Sequence, residues 1–195
     1  MAKKHFYTQK LINLLWSFTN KEVEKWPKRY YFTQGIINTD SSLFATDGKM
    51  ILKANIPDVP DKLKGNVTDN NGNYIVEIGQ NEIDTLEKVC RETRTKMFVL
   101  NTDKWKKVYE KVKNKKRPKT YKKISPVECV QLTDGFIVRA KDFNRFVGFC
   151  EKNDVRLVKF NEKTYSGVSN YMELVGVNCD YYFYDDEKDY IVKYE

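Results

Sequence analysis

The chain has 195 residues, 41% of them hydrophobic and 32% charged, enough for a packed core in one large domain or two small ones, so disorder is not expected. It contains no run of about 18 apolar residues, and Leu11 to Phe18 is short and broken by Asn13 and Ser17, so neither a membrane span nor a signal peptide is expected and the location is read as cytoplasmic. The net charge is +8, there is one histidine, and the four cysteines (Cys90, Cys129, Cys150, Cys179) include no C-x-x-C pair, so reduced buried thiols are expected rather than a zinc site or disulfides.

In chain order, Leu11, Leu14, Leu15 and Phe18 recur at i, i+3, i+4 and i+7, the stripe of an amphipathic helix. Strands are expected over Tyr30 to Ile37, Leu43 to Thr46 and Met50 to Ile56, the last two joined through a two-residue turn at Asp47-Gly48. Residues 58–73, rich in Asp, Asn and Gly, read as a loop. A strand at Tyr74 to Ile78 and a weaker helix from Glu82 to Cys90 follow. A strand at Lys96 to Leu100 leads into a second amphipathic helix, with Thr102 and Asp103 at its start and Trp105, Val108, Tyr109 and Val112 on its stripe.

Residues 114–123 read as a basic loop. Strands are expected at Val127 to Leu132 and Phe136 to Arg139, then a helix with Asp142 in its first turn and a stripe of Phe143, Phe146, Val147 and Cys150. Further strands are placed at Val155 to Phe160, Tyr171 to Val177, Asp180 to Tyr184 and Tyr190 to Lys193. A faint repeat links two segments: Phe98 and Phe136 are each followed at +7, +10, +11 and +14 by stripe residues. Short turns between strands make the sheet largely antiparallel, and the class is α+β, with short amphipathic helices packed on curved sheets. The division expected is 1–95 and 96–195, or one compact domain with 58–73 and 114–123 as loops.

The charge is concentrated. Lys104, Lys106, Lys107, Lys111, Lys113, Lys115, Lys116, Arg117, Lys119, Lys122 and Lys123 stand against one acid, Glu110, so 20 residues carry +10 and the other 175 carry −2. A patch of this density exceeds what solubility needs and fits a polyanion. Trp105 and Tyr109 lie on the core stripe, so Tyr121 is the one aromatic in the segment placed to stack on bases.

Catalysis is not expected. The chain has no P-loop, G-x-G-x-x-G, H-E-x-x-H or G-x-S-x-G, and His5 is its one imidazole. Asp47-Gly48 reads as turn chemistry. The acidic group Asp180, Asp185, Asp186, Glu187 and Asp189 could serve a metal-dependent nuclease, but reads more simply as a hairpin loop. No catalytic residue, metal or cofactor is assigned.

The stretch YYFTQGIINTDSSLFATDGKMILKANI, Tyr30 to Ile56, resembles the strand pair of bacterial beta sliding clamps, DNA polymerase processivity factors. The match lies in Gly35-Ile36 and in the A-T-D-G hairpin Ala45-Thr46-Asp47-Gly48. His5 to Phe18 resembles the short strand and first helix of a clamp domain, and Arg139 to Phe160 the helix and next strand of its second half. The chain departs from the family at Lys49-Met50, where His-Arg is usual. It is far shorter than a three-domain bacterial clamp, and Pro57 to Pro126 has no mapped counterpart.

The resemblance implies a ring-like or partial clamp, a homo-oligomer, with helices facing DNA and sheets facing out. It also implies a hydrophobic pocket for peptides of a DNA polymerase or another replication protein. Sliding needs phosphate contacts without base readout. Besides the basic segment, Lys10, Asn13 and Ser17 on the first helix and Lys141, Asn144, Arg145 and Lys152 on the last lie off the apolar stripes, with Lys10, Lys141 and Arg145 counted among the sequence-nonspecific DNA contacts. A rival reading is a small nucleic-acid-binding or regulatory module, virus-encoded in one version, that forms no ring.

Overall fold

A computed structural model describes residues 7–20, 28–116 and 124–194. The described residues form five α-helices and twelve strands, a mixed α+β structure whose pairings are antiparallel apart from one short parallel contact. No described helix is long and apolar enough to cross a membrane. In chain order the elements are α1 Gln9–Trp16, β1 Ile36–Asn38, β2 Ser42–Thr46, β3 Met50–Asn55, β4 Asn66–Thr68, β5 Tyr74–Glu77, α2 Gln80–Cys90, β6 Lys96–Val99 and α3 Thr102–Val112. After them come β7 Cys129–Thr133, β8 Phe136–Arg139, α4 Ala140–Lys152, β9 Leu157–Phe160, β10 Thr164–Ser169, β11 Met172–Val177, α5 Asp185–Lys188 and β12 Val192–Lys193.

The chain divides into two compact units, one of residues 1–92 with 170–175 and one of 93–169 with 176–195. In the first, the strand order is β5-β4-β1-β2-β3, with the start of β11 beside β3. Thr8 caps α1, its hydroxyl accepting from Leu11 N at 3.3 Å. The helix buries Leu11, Ile12 and Leu15 against β1 and β2, and Ile12 takes the core place expected for the half-buried Leu14. From α2, Leu86 and Cys90 join Ile37, Phe44 and Val67 in one cluster. Lys53 and Glu87 tie β3 to the same helix at 2.8 Å.

Three expectations fail in this unit. Tyr30 to Ile37 is not one strand: a 3-10 turn runs over Lys28–Gln34 before β1 begins at Ile36. Gly35 marks the change, because a Cβ there would lie 2.5 Å from the Thr68 carbonyl oxygen, so the backbone comes down onto β4. Residues 58–73 are not all loop: Val67 is buried and pairs with Ile37, making β4 a sheet strand. The β2–β3 connection is not a two-residue turn. Thr46 pairs with Ile51, leaving four residues between, and Asp47 Oδ1 accepts from Lys49 N and Met50 N at 3.0 Å each.

The second unit is built on aromatic rings. Its strands run β6-β9-β10, and a smaller sheet runs β12-β7-β8, with β12 parallel to β7. Trp105 and Phe143 are fully buried, as their stripes predict. Phe136 stacks on Phe160 at 4.4 Å and Phe143 on Phe146 at 5.3 Å, with Tyr165 edge-on to the latter two. Burial holds the Tyr165 phenol well above its ordinary ionisation range.

Two more corrections fall here. Thr164–Ser169 is a strand that its Thr, Ser and Gly content conceals. Asp180 to Tyr184 is not a strand but begins as a 3-10 turn over Asp180–Tyr182, and the next acidic residues form α5 rather than a hairpin loop. The buried Asn178 causes the break. Its Oδ1 accepts from Ile137 N and Asp180 N at 3.1 Å each, and its Nδ2 donates to Asn161 O and Gly135 O at 2.6 and 2.7 Å.

Candidate nucleic-acid interface

The basic segment begins on α3. Asn101 caps the helix one residue earlier than expected, its Oδ1 accepting from Lys104 N at 2.9 Å. Trp105, Val108 and Val112 point into the core, and Trp105 Nε1 donates to Asn144 Oδ1 on α4 at 3.1 Å. With the apolar face docked, the lysines are left on two flanks.

One flank is neutralised. Lys106 and Lys113, seven residues apart, share it with Glu110 and Asp103. Lys106 pairs with Glu151 of α4 at 2.6 Å and lies 3.9 Å from Asp103, and Lys113 pairs with Glu110 at 2.5 Å. The hydrogen bond to Glu151 holds the Lys106 ammonium above its ordinary range.

The other flank is not neutralised. Lys104, Lys107 and Lys111 follow at i, i+3 and i+7, spanning about 10 Å of helix. Lys104 Nζ lies 4.8 Å from the Tyr194 ring centre, and Lys107 and Lys111 have no acidic partner among the described residues. Lys115 and Lys116 continue beyond the helix, both exposed and equally unpaired. Arg117, Lys119, Lys122, Lys123 and Tyr121 lie outside the described residues, as does His5.

The remaining candidates lie on other helices. Lys141 is exposed on the first turn of α4, and Arg145 is half-buried on the same helix. Lys10 is exposed on α1, in the other unit. Sequence periodicity finds all of these cations but not their partners, since the Lys106–Glu151 pair joins two helices 45 residues apart in the chain.

The acidic end of the chain is organised around a cation. Lys188 pairs with Asp180 at 3.2 Å and with Asp185 at 3.8 Å, and the Glu187 carboxylate accepts from Tyr184 N at 3.0 Å. Among the described residues no three His, Cys, Asp or Glu side chains converge as metal ligands would. All four cysteines are free and buried. Burial pushes the Cys150 thiol up to about 12, and a hydrogen bond to Cys179 together with burial raises that of Cys129.

No family model matches the chain, and no curated protein matches it in sequence.

Proposed function

We propose that this protein is a clamp-like DNA-binding factor that holds duplex DNA without reading its sequence and serves as a processivity or scaffolding partner of replication proteins. The observation that carries the reading is the uncompensated flank of α3. Lys104, Lys107 and Lys111, with Lys115 and Lys116 beyond them, present five cations in the segment that holds +10 of the chain's charge. Point charges on a rigid helix suit phosphates, and the lysine ammoniums of Lys104, Lys107 and Lys111 lack the bidentate amide or guanidinium geometry that base readout uses.

The order of elements supports the clamp form of the reading. A helix followed by three strands occurs twice, as α1-β1-β2-β3 and as α4-β9-β10-β11. The sequence resemblance to a clamp domain covers α1 and β1 to β3 of the first set, and α4 and β9 of the second. Residues 57–126, unmatched by that resemblance, contribute β4, β5, α2, β6 and α3, so the strongest basic surface would be this chain's own addition to such a scaffold.

Five phosphate contacts give a slope of log K against log salt of about −4 to −5 on duplex DNA. Changing Lys107, Lys111, Lys115 and Lys116 together to Gln should flatten it by up to about 3.6 and weaken two unrelated duplexes alike. Equal binding by wild type and variant would show a solvated face, and a strong preference for one duplex would show base readout. Sedimentation with and without circular duplex tests the ring, which should self-associate and remain on closed circles.

A further inference from the structure

The second unit has an open sheet edge, and its strand carries apolar side chains into solvent. β6 ends the strand order of the described residues and pairs on one side only, with β9. Met97 and Val99 face out from it, 63% and 72% exposed, and Leu157, directly across from Val99, is 43% exposed. Val168 on β10 extends the row, one step beyond the Gly167–Val158 pair, and is 59% exposed. Isolated exposed apolar residues are ordinary, but four adjoining ones on a sheet face beside a free edge mark an interaction surface.

The backbone is available as well. Leu100 N donates to Arg156 O at 2.8 Å, so Leu100, and by the antiparallel alternation Phe98 and Lys96, turn their amides and carbonyls to β9. Those of Met97 and Val99 therefore point away from it, to the open edge. At the far end of β6 lies a cleft of about 470 Å³, between the start of α3, the end of α4 and the turn at Asp154. Val99, Leu100, Cys150 and Val155 supply its apolar lining. The other end is basic: Lys96 and Lys159 are exposed and have no acidic partner among the described residues.

We infer that β6 is a docking edge for an extended peptide of a partner protein, added as an antiparallel or parallel strand, with apolar residues at alternate positions and an acidic residue at the Lys96–Lys159 end. Its backbone bonds to Met97 and Val99, its apolar side chains cover Met97 and Val99, and its last apolar side chain enters the cleft. Charge complementarity selects this occupant: Lys96 and Lys159, unpaired at one end of the edge, favour an acidic residue there, and β6 itself, Lys96–Val99, carries none to offer from a second copy. The inference gives a place to the protein-binding half of the function proposed above and is independent of its DNA-binding half.

The test is selection of short peptides from a random library on the full chain, followed by synthesis of the consensus as a capped probe. Selected peptides should alternate apolar residues and carry an acid at one end. N-methylating the probe's amides one at a time should abolish binding at every second position and spare the positions between. Val99→Glu, at a site too exposed to unfold the protein, should weaken the probe by about tenfold or more. Bound probe should slow hydrogen exchange at the Met97 and Val99 amides.

Duplex binding by Val99→Glu should equal that of wild type, which separates failure here from failure of the DNA reading. The inference is overturned by N-methylation effects without alternation, by unchanged affinity of Val99→Glu, or by a basic or helical consensus. It is also overturned if exchange at Met97 and Val99 is already slowed by self-association in sedimenting dimers.

Discussion

Gly48 is the one residue of the A-T-D-G hairpin whose backbone no ordinary side chain readily accepts. Its φ is +82°, in the left-handed region, between Asp47 and the lysine whose amide Asp47 holds. A Cβ built there meets nothing within 4 Å, so a substitution costs backbone strain alone, without a packing term. For Gly48→Ala the strain is about 1–2 kcal/mol. For Gly48→Val, whose branched side chain resists positive φ more strongly, it is about 2–3 kcal/mol. Gly48→Asn should lose less than about 1 kcal/mol, since Asn enters this region with local hydrogen bonding. In a chain of this length 1 kcal/mol lowers Tm by about 2–4 °C, which puts Val roughly 4–12 °C below wild type and Asn within about 4 °C. Thermal melts and urea titrations of the three variants give the order directly. Three equal melts, or a valine variant as stable as the asparagine one, would mean that the loop does not require the left-handed residue, and the hairpin on which the clamp resemblance rests would lose its structural basis.

Gly176→Ala should be worse than any of these despite an ordinary φ, because its Cβ would overlap the ring of the fully buried Tyr165; a loss of about 3 kcal/mol or more is expected in urea titration. The bond from Trp105 to Asn144 joins α3 to α4, and a double-mutant cycle of Trp105→Phe and Asn144→Ala should give a coupling of about 0.5–1.5 kcal/mol. Burial raises the Cys150 thiol from its ordinary 9.0 to about 12, so between these values the unfolded chain ionises and the folded one does not. Stability from this group is complete below pH 9 and falls as the pH rises toward 12, by up to about 1.4 kcal/mol per pH unit, and Cys150→Ala should flatten that decline in alkaline melts. In DNA titrations, changing Lys106 and Lys113 to Gln should alter the salt slope far less than changing Lys107 and Lys111, because the first pair is already matched to Glu151 and Glu110.

The helices were legible in the sequence because their signal is local. Trp105, Val108 and Val112, or Phe143, Phe146 and Cys150, announce a buried face through spacing alone, and the structure buries them. The failures share a different physics. The β-rich Tyr30 to Ile37 gave way to a 3-10 turn where Gly35 meets β4, and Asp180 to Tyr184 gave way because Asn178 holds two other backbone segments, one at Gly135 and Ile137 and one at Asn161; in both, a distant partner overrode local preference. β4 and β10 were hidden because polar Asn, Thr and Ser residues can line a sheet when the register pairs their backbones.

The same division governs the candidate site. Net charge is a property of composition, and the +10 of residues 104–123 could be counted without a structure. Free charge is a property of packing. Docking Trp105 against Phe143 at 4.8 Å brings Lys106 to Glu151 and leaves Lys107 and Lys111 facing solvent, so one hydrophobic contact sorts the cations of α3 into a spent flank and an available one. On the proposed reading, the number of phosphates the helix could hold is therefore set by the aromatic core beneath it. If the proposed duplex binding holds, Trp105→Ala, which removes the ring packed on Phe143, should weaken it in the same salt titration with no basic residue changed.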